Sequence, residues 1–139
     1  MKITIGCDHA GVEYKSKIVE FLEKEGHQVL DIGAHGKESV DYPDYAHKVA
    51  EEVLAGANFG ILICGSGNGV SMAANKHKGI RAALCWNEEI TKLARQHNDA
   101  NIISIPARFL SLEKSKELIK VFSKTNFDGG RHERRVKKI

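Results

Sequence analysis

Cys64 ends an apolar run, FGILIC (59–64), and stands directly before GSGNG (65–69), a loop with three glycines in five positions. Glycines in such a loop let backbone N–H groups converge on an anion, and a following helix adds the partial positive charge of its N-terminus. A thiol beside such amides holds its thiolate more readily than a free thiol does. A base next to an anion-stabilising loop suits abstraction of a proton α to a carbonyl, where charge develops on oxygen. Two plainer readings stand beside this one. The loop also fits a tight strand-to-helix turn with no ligand, and a lone cysteine closing a core strand is commonly a small buried hydrophobe. Cys7 and Cys85, which also end apolar runs, fit the second of these.

Nucleotide chemistry fits the loop less well. The dinucleotide fingerprint G-x-G-x-x-G follows a first strand and has an acidic residue about 20 positions on. Here the glycines are Gly65, Gly67 and Gly69, Val70 takes the place of the third fingerprint glycine, and the loop follows the third apolar run. The Gly-Lys-Ser/Thr of a P-loop is missing.

Other polar groups fall where they could share a crevice with Cys64. Asp8 and His9 follow the first apolar run, and Arg108 follows the last. RQHNDAN (95–101) sets His97 and Asn98 at the end of an amphipathic stretch, where a histidine can also simply answer the helix dipole. In the tail GGRHERRVKKI (129–139), Arg131 and Arg135 are four apart, so one helical turn would aim both guanidiniums at a phosphate. The same charges would also serve as a solvated basic end or a loose nucleic-acid contact. No aromatic residue is interleaved with them, which disfavours single-stranded nucleic acid.

These groups need a scaffold, and the apolar pattern supplies one. Strands are predicted at 2–7, 28–32, 59–64, 81–85 and 101–106. Helices are predicted at about 11–25, from Pro43 to about 55, from Asn68 onward, and at 88–98 and 111–123. FGILIC is apolar almost throughout, as strands covered on both faces are. Such alternation predicts an α/β fold, a Rossmann-like three-layer α/β/α sandwich with a five-stranded parallel sheet. Ligands in such sheets bind at the carboxyl ends of the strands, where Asp8, Cys64 and Arg108 fall.

The chain has 139 residues, 42% hydrophobic and 28% charged, and a net charge of +3, which predicts one domain over 1–139 and gives no reason to expect nucleic acid. No apolar run reaches membrane-span length, and three widely spaced cysteines predict a reduced, cytoplasmic protein rather than a disulfide framework. The seven histidines form no HExxH pattern and no zinc-finger spacing, so no metal is expected.

GCDHAG (6–11), DYPDYA (41–46), ILICGSGNGVSMAANK (61–76), GIRAALC (79–85), RQHNDANI (95–102) and GGRHERRV (129–136) together resemble type B ribose-5-phosphate isomerase along the whole chain. The resemblance implies interconversion of ribose 5-phosphate and ribulose 5-phosphate, a step of the pentose phosphate pathway, without metal or organic cofactor. It implies a homodimer, or a tetramer, with active sites at the interface. By motif, Cys64 is the base that moves a proton between C2 and C1 through a cis-enediolate. Gly65, Ser66, Gly67, Asn68 and Gly69 hold the enediolate oxygen, Ser66 filling a Ser/Thr position of the family. His97 is the acid that opens the furanose ring, supplied with Asn98 by the partner subunit. Asp8 and His9 bind the sugar and Tyr42 lines the site. Arg108, Arg131 and Arg135 bind phosphate, so the tail 126–139 contributes to the substrate site. Galactose-6-phosphate isomerase shares the fold and the loop, but the intact QHND segment and GGRHxxR tail favour the pentose. Allose 6-phosphate stays open as a side substrate. A non-catalytic binder of sugar phosphates or nucleotides would need neither Cys64 nor His97.

Overall fold

The five apolar runs become five strands, and each is followed by a helix. In the computed structural model, which describes residues 1–139, they are β1 (Lys2–Cys7), β2 (Gln28–Gly33), β3 (Phe59–Cys64), β4 (Ala82–Leu84) and β5 (Ile102–Pro106). The helices are α1 (Val12–Lys24), α2 (Tyr42–Leu54), α3 (Asn68–Ala74), α4 (Glu88–Asn98), α5 (Leu112–Lys124) and α6 (Arg131–Val136). All four strand pairings are parallel, as the alternation predicts.

Strand periodicity divides the core into two layers. On β3, Phe59, Ile61 and Ile63 pack with Ile18 and Leu22 of α1 and Leu118 and Phe122 of α5. Leu62 and Cys64, on the opposite face, pack with Val49 and Val53 of α2 and Val70 and Ala74 of α3. Every residue of β3 is buried, which removes apolar side chains worth roughly 1.5–3 kcal/mol each from water. Cys64 therefore belongs to the α2–α3 layer.

The strand order is β2-β1-β3-β5-β4. From β1 the chain steps outward to β2, then crosses back to β3 on the other side, so β1 and β3 flank the point where the winding reverses. A crevice opens there at the carboxyl ends. Past β3 the order is not sequential, because α3 carries the chain to the sheet edge and α4 brings it back. Burial accounts for this: β5 is buried throughout, whereas the three residues of β4 are half-buried, as an edge allows. The outer edge of β4 is covered by Asn75, whose Oδ1 accepts from Ala82 N–H at 2.7 Å and whose Nδ2 donates to Ala82 O at 3.0 Å.

Local boundaries shift where side chains intervene. The helix predicted from residue 11 starts at Val12, after a 3-10 turn over His9–Gly11 that the Asp8 carboxylate closes by accepting from Ala10 N–H at 2.9 Å. The strand predicted over 81–85 is three residues long. The tail arginines do lie on a helical turn, α6. No helix is long and apolar enough to cross a membrane.

Candidate active site

The end of β3 sets Cys64 at the floor of a cavity of about 440 Å3 lined by Asp8, His9, Ala10, Tyr42, Cys64, Gly65, Ser66, Gly69 and Arg108. The Gly67 N–H donates to Cys64 Sγ at 3.0 Å, so the loop delivers backbone polarity to the sulfur. Gly67 reaches this position with φ +75°, where a Cβ would overlap Leu84. Gly69 is required for a different reason: a Cβ there would meet the Tyr42 ring at 2.5 Å. The absent side chain lets α2 place Tyr42 over the loop.

Five loop residues were expected to hold substrate oxygen through their amides, and the structure divides them. Gly67 N–H is committed to Cys64 Sγ, and Asn68 N–H donates to Ser66 Oγ at 3.3 Å. Both residues stand outside the cavity lining. The amides of Gly65, Ser66 and Gly69 make no hydrogen bond within the chain, and all three residues line the cavity. Three of the five expected residues thus line the cavity with unengaged amides, whereas the amides of Gly67 and Asn68 are turned to Cys64 and Ser66. Because Ser66 Oγ already accepts from Asn68, its hydroxyl hydrogen is free to donate.

The walls come from the other strand ends. Asp8 is buried and uses Oδ1 to cap its own turn, leaving Oδ2 for a hydroxyl. His9 Nδ1 accepts from Val40 N–H at 3.3 Å, which leaves Nε2 to carry the ring hydrogen toward a ligand. The β5 end is tied to the loop through Ala107 N–H to Cys64 O at 2.9 Å and Arg108 N–H to Gly65 O at 3.1 Å. This brings the Arg108 guanidinium over Gly65.

His97, Asn98, Arg131 and Arg135 do not line this cavity. His97, Arg131 and Arg135 gather around His132 at the end of α4, where the His97 ring stacks on His132 with centroids 4.1 Å apart and planes 11° from parallel. Asn98 instead lines a separate cavity with Arg81 and Ile139. Asp128 N–H donates to Gln96 O at 3.0 Å and fastens the tail to α4. His132 was not identified from sequence; a histidine among the tail arginines was the only signal. Loss of solvation pushes its imidazole below the ordinary range, and His97, Arg131 and Arg135 push the same way.

His97, Asp128 and His132 offer ligand atoms within 4.8 Å of one another, a grouping their sequence spacing conceals. Imidazole lone pairs lie in the ring plane, and in two nearly parallel stacked rings they do not converge on one ion. The arrangement fits a stack better than a chelate.

The three cysteines are all buried and unpaired, yet differ in surroundings. Burial pushes the Cys7 thiol up to about 12 and the Cys85 thiol up to about 11. Both thiols point at backbone carbonyls, Ala34 O and Ala83 O. Only Cys64 has an N–H directed at its sulfur and a place on the cavity wall.

A family model described as Ribose/Galactose Isomerase matches residues 3–139. The chain is 44% identical over 139 residues to ribose-5-phosphate isomerase B of Escherichia coli, covering 99% of this chain and 93% of that one. Among solved structures, ribose-5-phosphate isomerase B of Clostridium thermocellum superposes with TM-score 0.98 at 50% identity, covering 99% of this chain and 94% of that one. The enzyme of Mycoplasma genitalium, solved with bound ribulose 5-phosphate, superposes with TM-score 0.94 at 43% identity, covering 99% and 92%.

Proposed function

The chain belongs to the ribose/galactose isomerase family, and from that premise we propose that it interconverts ribose 5-phosphate and ribulose 5-phosphate with Cys64 as the base. The observation that carries the assignment of the base is the Gly67 N–H on Cys64 Sγ at the floor of the cavity. That N–H holds the sulfur against the cavity and can donate to it while it carries charge during the reaction.

With the open-chain aldose bound, the thiolate removes the proton from C2. The C2–H pair forms the C1=C2 bond, and the carbonyl pair moves onto O1. The amides of Gly65, Ser66 and Gly69 are placed to stabilise this enediolate, and the Ser66 hydroxyl donates to one of its oxygens. The Cys64 thiol returns its proton to C1, the O2 proton passes to O1, and the ketone forms at C2. Asp8 binds a hydroxyl, Tyr42 covers the sugar, and Arg108 with His9 Nε2–H faces the phosphate. Binding energy from that remote group orients the reacting carbons.

Ring opening needs an acid at the furanose oxygen, and histidine suits it near neutral pH. His97 takes this role from a second copy of the chain, with Asn98, Arg131 and Arg135. The separation of these residues from the cavity of their own chain supports a homodimer. Exposed Met72 and Phe109, next to the loop and to Arg108 in sequence, supply apolar surface for such a contact. The unpaired thiols accord with a cytoplasmic, reducing setting.

Deuterium separates the two steps. In D2O, exchange into C1 of ribulose 5-phosphate requires enediolate formation but no ring chemistry. Wild-type protein is expected to exchange and to isomerise, with EDTA present. His97→Asn is expected to lose about 100-fold in isomerisation and keep its exchange rate within about twofold. Absence of turnover in the wild type would overturn the activity, and equal loss of both rates in His97→Asn would overturn the ring-opening role.

A further inference from the structure

His97 sits in the last turn of α4, where the terminal carbonyls have no intrahelical partner and fraying is the default. Its side chain makes no hydrogen bond of its own, so its orientation comes from the helix end and from the stack on His132. What fixes the helix end is therefore what aims the imidazole.

The residue that ends α4 is Asp99, at φ 45° and ψ 44°, and it is the only non-glycine residue with positive φ in the chain. Glycine usually fills this position, because an L side chain is strained there. The aspartate carboxylate has a use that glycine could not serve. Its Oδ1 accepts from Arg95 Nη1 at 3.0 Å, and its Oδ2 lies 3.4 Å from Arg81 Nη2. Arg81 Nε also donates to Asn98 O at 2.9 Å and Asp99 O at 3.0 Å, covering the carbonyls beside His97. Arg95 reaches Ala100 O at 2.5 Å and Thr125 O at 3.0 Å. Arg81 itself is fixed to the sheet, because its N–H donates to Asn101 Oδ1 at 2.8 Å and Asn101 Nδ2 donates to Gly79 O at 2.8 Å.

We infer that Asp99 and Arg81 are positioning residues for His97: the carboxylate and guanidinium clamp the end of α4 to the start of β4 and so set the imidazole where it meets the furanose ring. The inference rests on the reading of His97 as the ring-opening acid. That reading fails separately, on His97→Asn alone.

Asp99→Gly is the decisive variant, since it relieves the backbone and removes only the carboxylate. A helix stop with no further role would be unharmed or stabilised by it. The clamp instead predicts an unchanged or raised thermal midpoint, isomerisation of ribose 5-phosphate down about tenfold, and deuterium exchange into ribulose 5-phosphate within about twofold of wild type. Asp99→Asn, which also tolerates this conformation, and Arg81→Lys, which keeps the charge but not the fork, should show the same split. In a His97→Asn background, Asp99→Gly should cost nothing further, because both act through one imidazole. Unchanged isomerisation in Asp99→Gly, equal losses of isomerisation and exchange, or additive loss in the double variant would each overturn the inference. So would failure of both Asp99→Gly and Asp99→Asn to fold, which would make Asp99 a stability residue.

Discussion

Around Cys64 the ordering groups are main-chain: an amide on the sulfur, three free amides on the wall, and two backbone bonds tying the β5 end to the loop. Around His97 they are side chains: two guanidiniums, a carboxylate and a second imidazole. In the proposed reaction the enediolate charge would fall on one spot, before amides whose positions the sheet fixes, with little reorganisation. His97, proposed as the ring-opening acid, stands outside the cavity of its own chain, on a helix end that would otherwise fray. The first corner is vulnerable where glycine is replaced, and the second where a charged side chain is removed at a distance.

The widest effect should come from mixing inactive chains. If the two corners meet across a dimer, Cys64→Ala and His97→Asn subunits, each nearly inactive alone, form mixed dimers with one intact site of two. After unfolding and refolding an equimolar mixture, activity should return to about a quarter of wild type. Recovery of none would place both corners in one chain's site and break the comparison.

Gly67→Ala should come next. The left-handed backbone costs about 1–2 kcal/mol and the overlap with Leu84 about 1–3 kcal/mol, so about 3 kcal/mol should appear as a lower denaturant midpoint. Gly129→Ala, at φ +65° with open space around it, should cost only about 1 kcal/mol. Equal costs would mean that the tightness of the loop does not matter.

Acid should produce the smallest change, confined to the second corner. The His132 imidazole is held below its ordinary range, so protonation opposes docking of the tail. Its contribution is complete above the unfolded value of about 6.5 and is lost as pH falls through the lower folded value. Amide hydrogen exchange across residues 129–136 should therefore lose protection between pH 7 and 5, while residues 64–71 keep theirs. Increased protection in acid would reverse the sign and remove the stack as a support for the tail.

The scaffold and the first corner were largely legible in the sequence. Strand periodicity placed every strand within a residue or two, and FGILIC before three glycines located Cys64 at a carboxyl end. The strand order was not legible, because local pattern does not say which strand joins β3. The hint lay in composition: Ile102–Pro106 is bulky enough for the centre, whereas Ala82–Leu84 is small enough for an edge. Which amides would face the cavity depends on the φ of Gly67, and a glycine allows either sign. The stack of His97 on His132 joins residues 35 apart with no motif between them. Asp99 was visible only as a letter of QHND, since its meaning lies in a backbone angle and two arginines.

Asn75 bears on how the protein behaves in a crowded solution. A parallel sheet ends in a row of unpaired amides and carbonyls that can template a strand from another molecule. At β4 one side-chain amide both accepts from and donates to Ala82, as a sixth strand would. The strand is only three residues long, so this single mimic blocks much of the edge. Asn75 thereby ends the sheet chemically as well as geometrically, and turns a surface prone to aggregation into one already hydrogen-bonded.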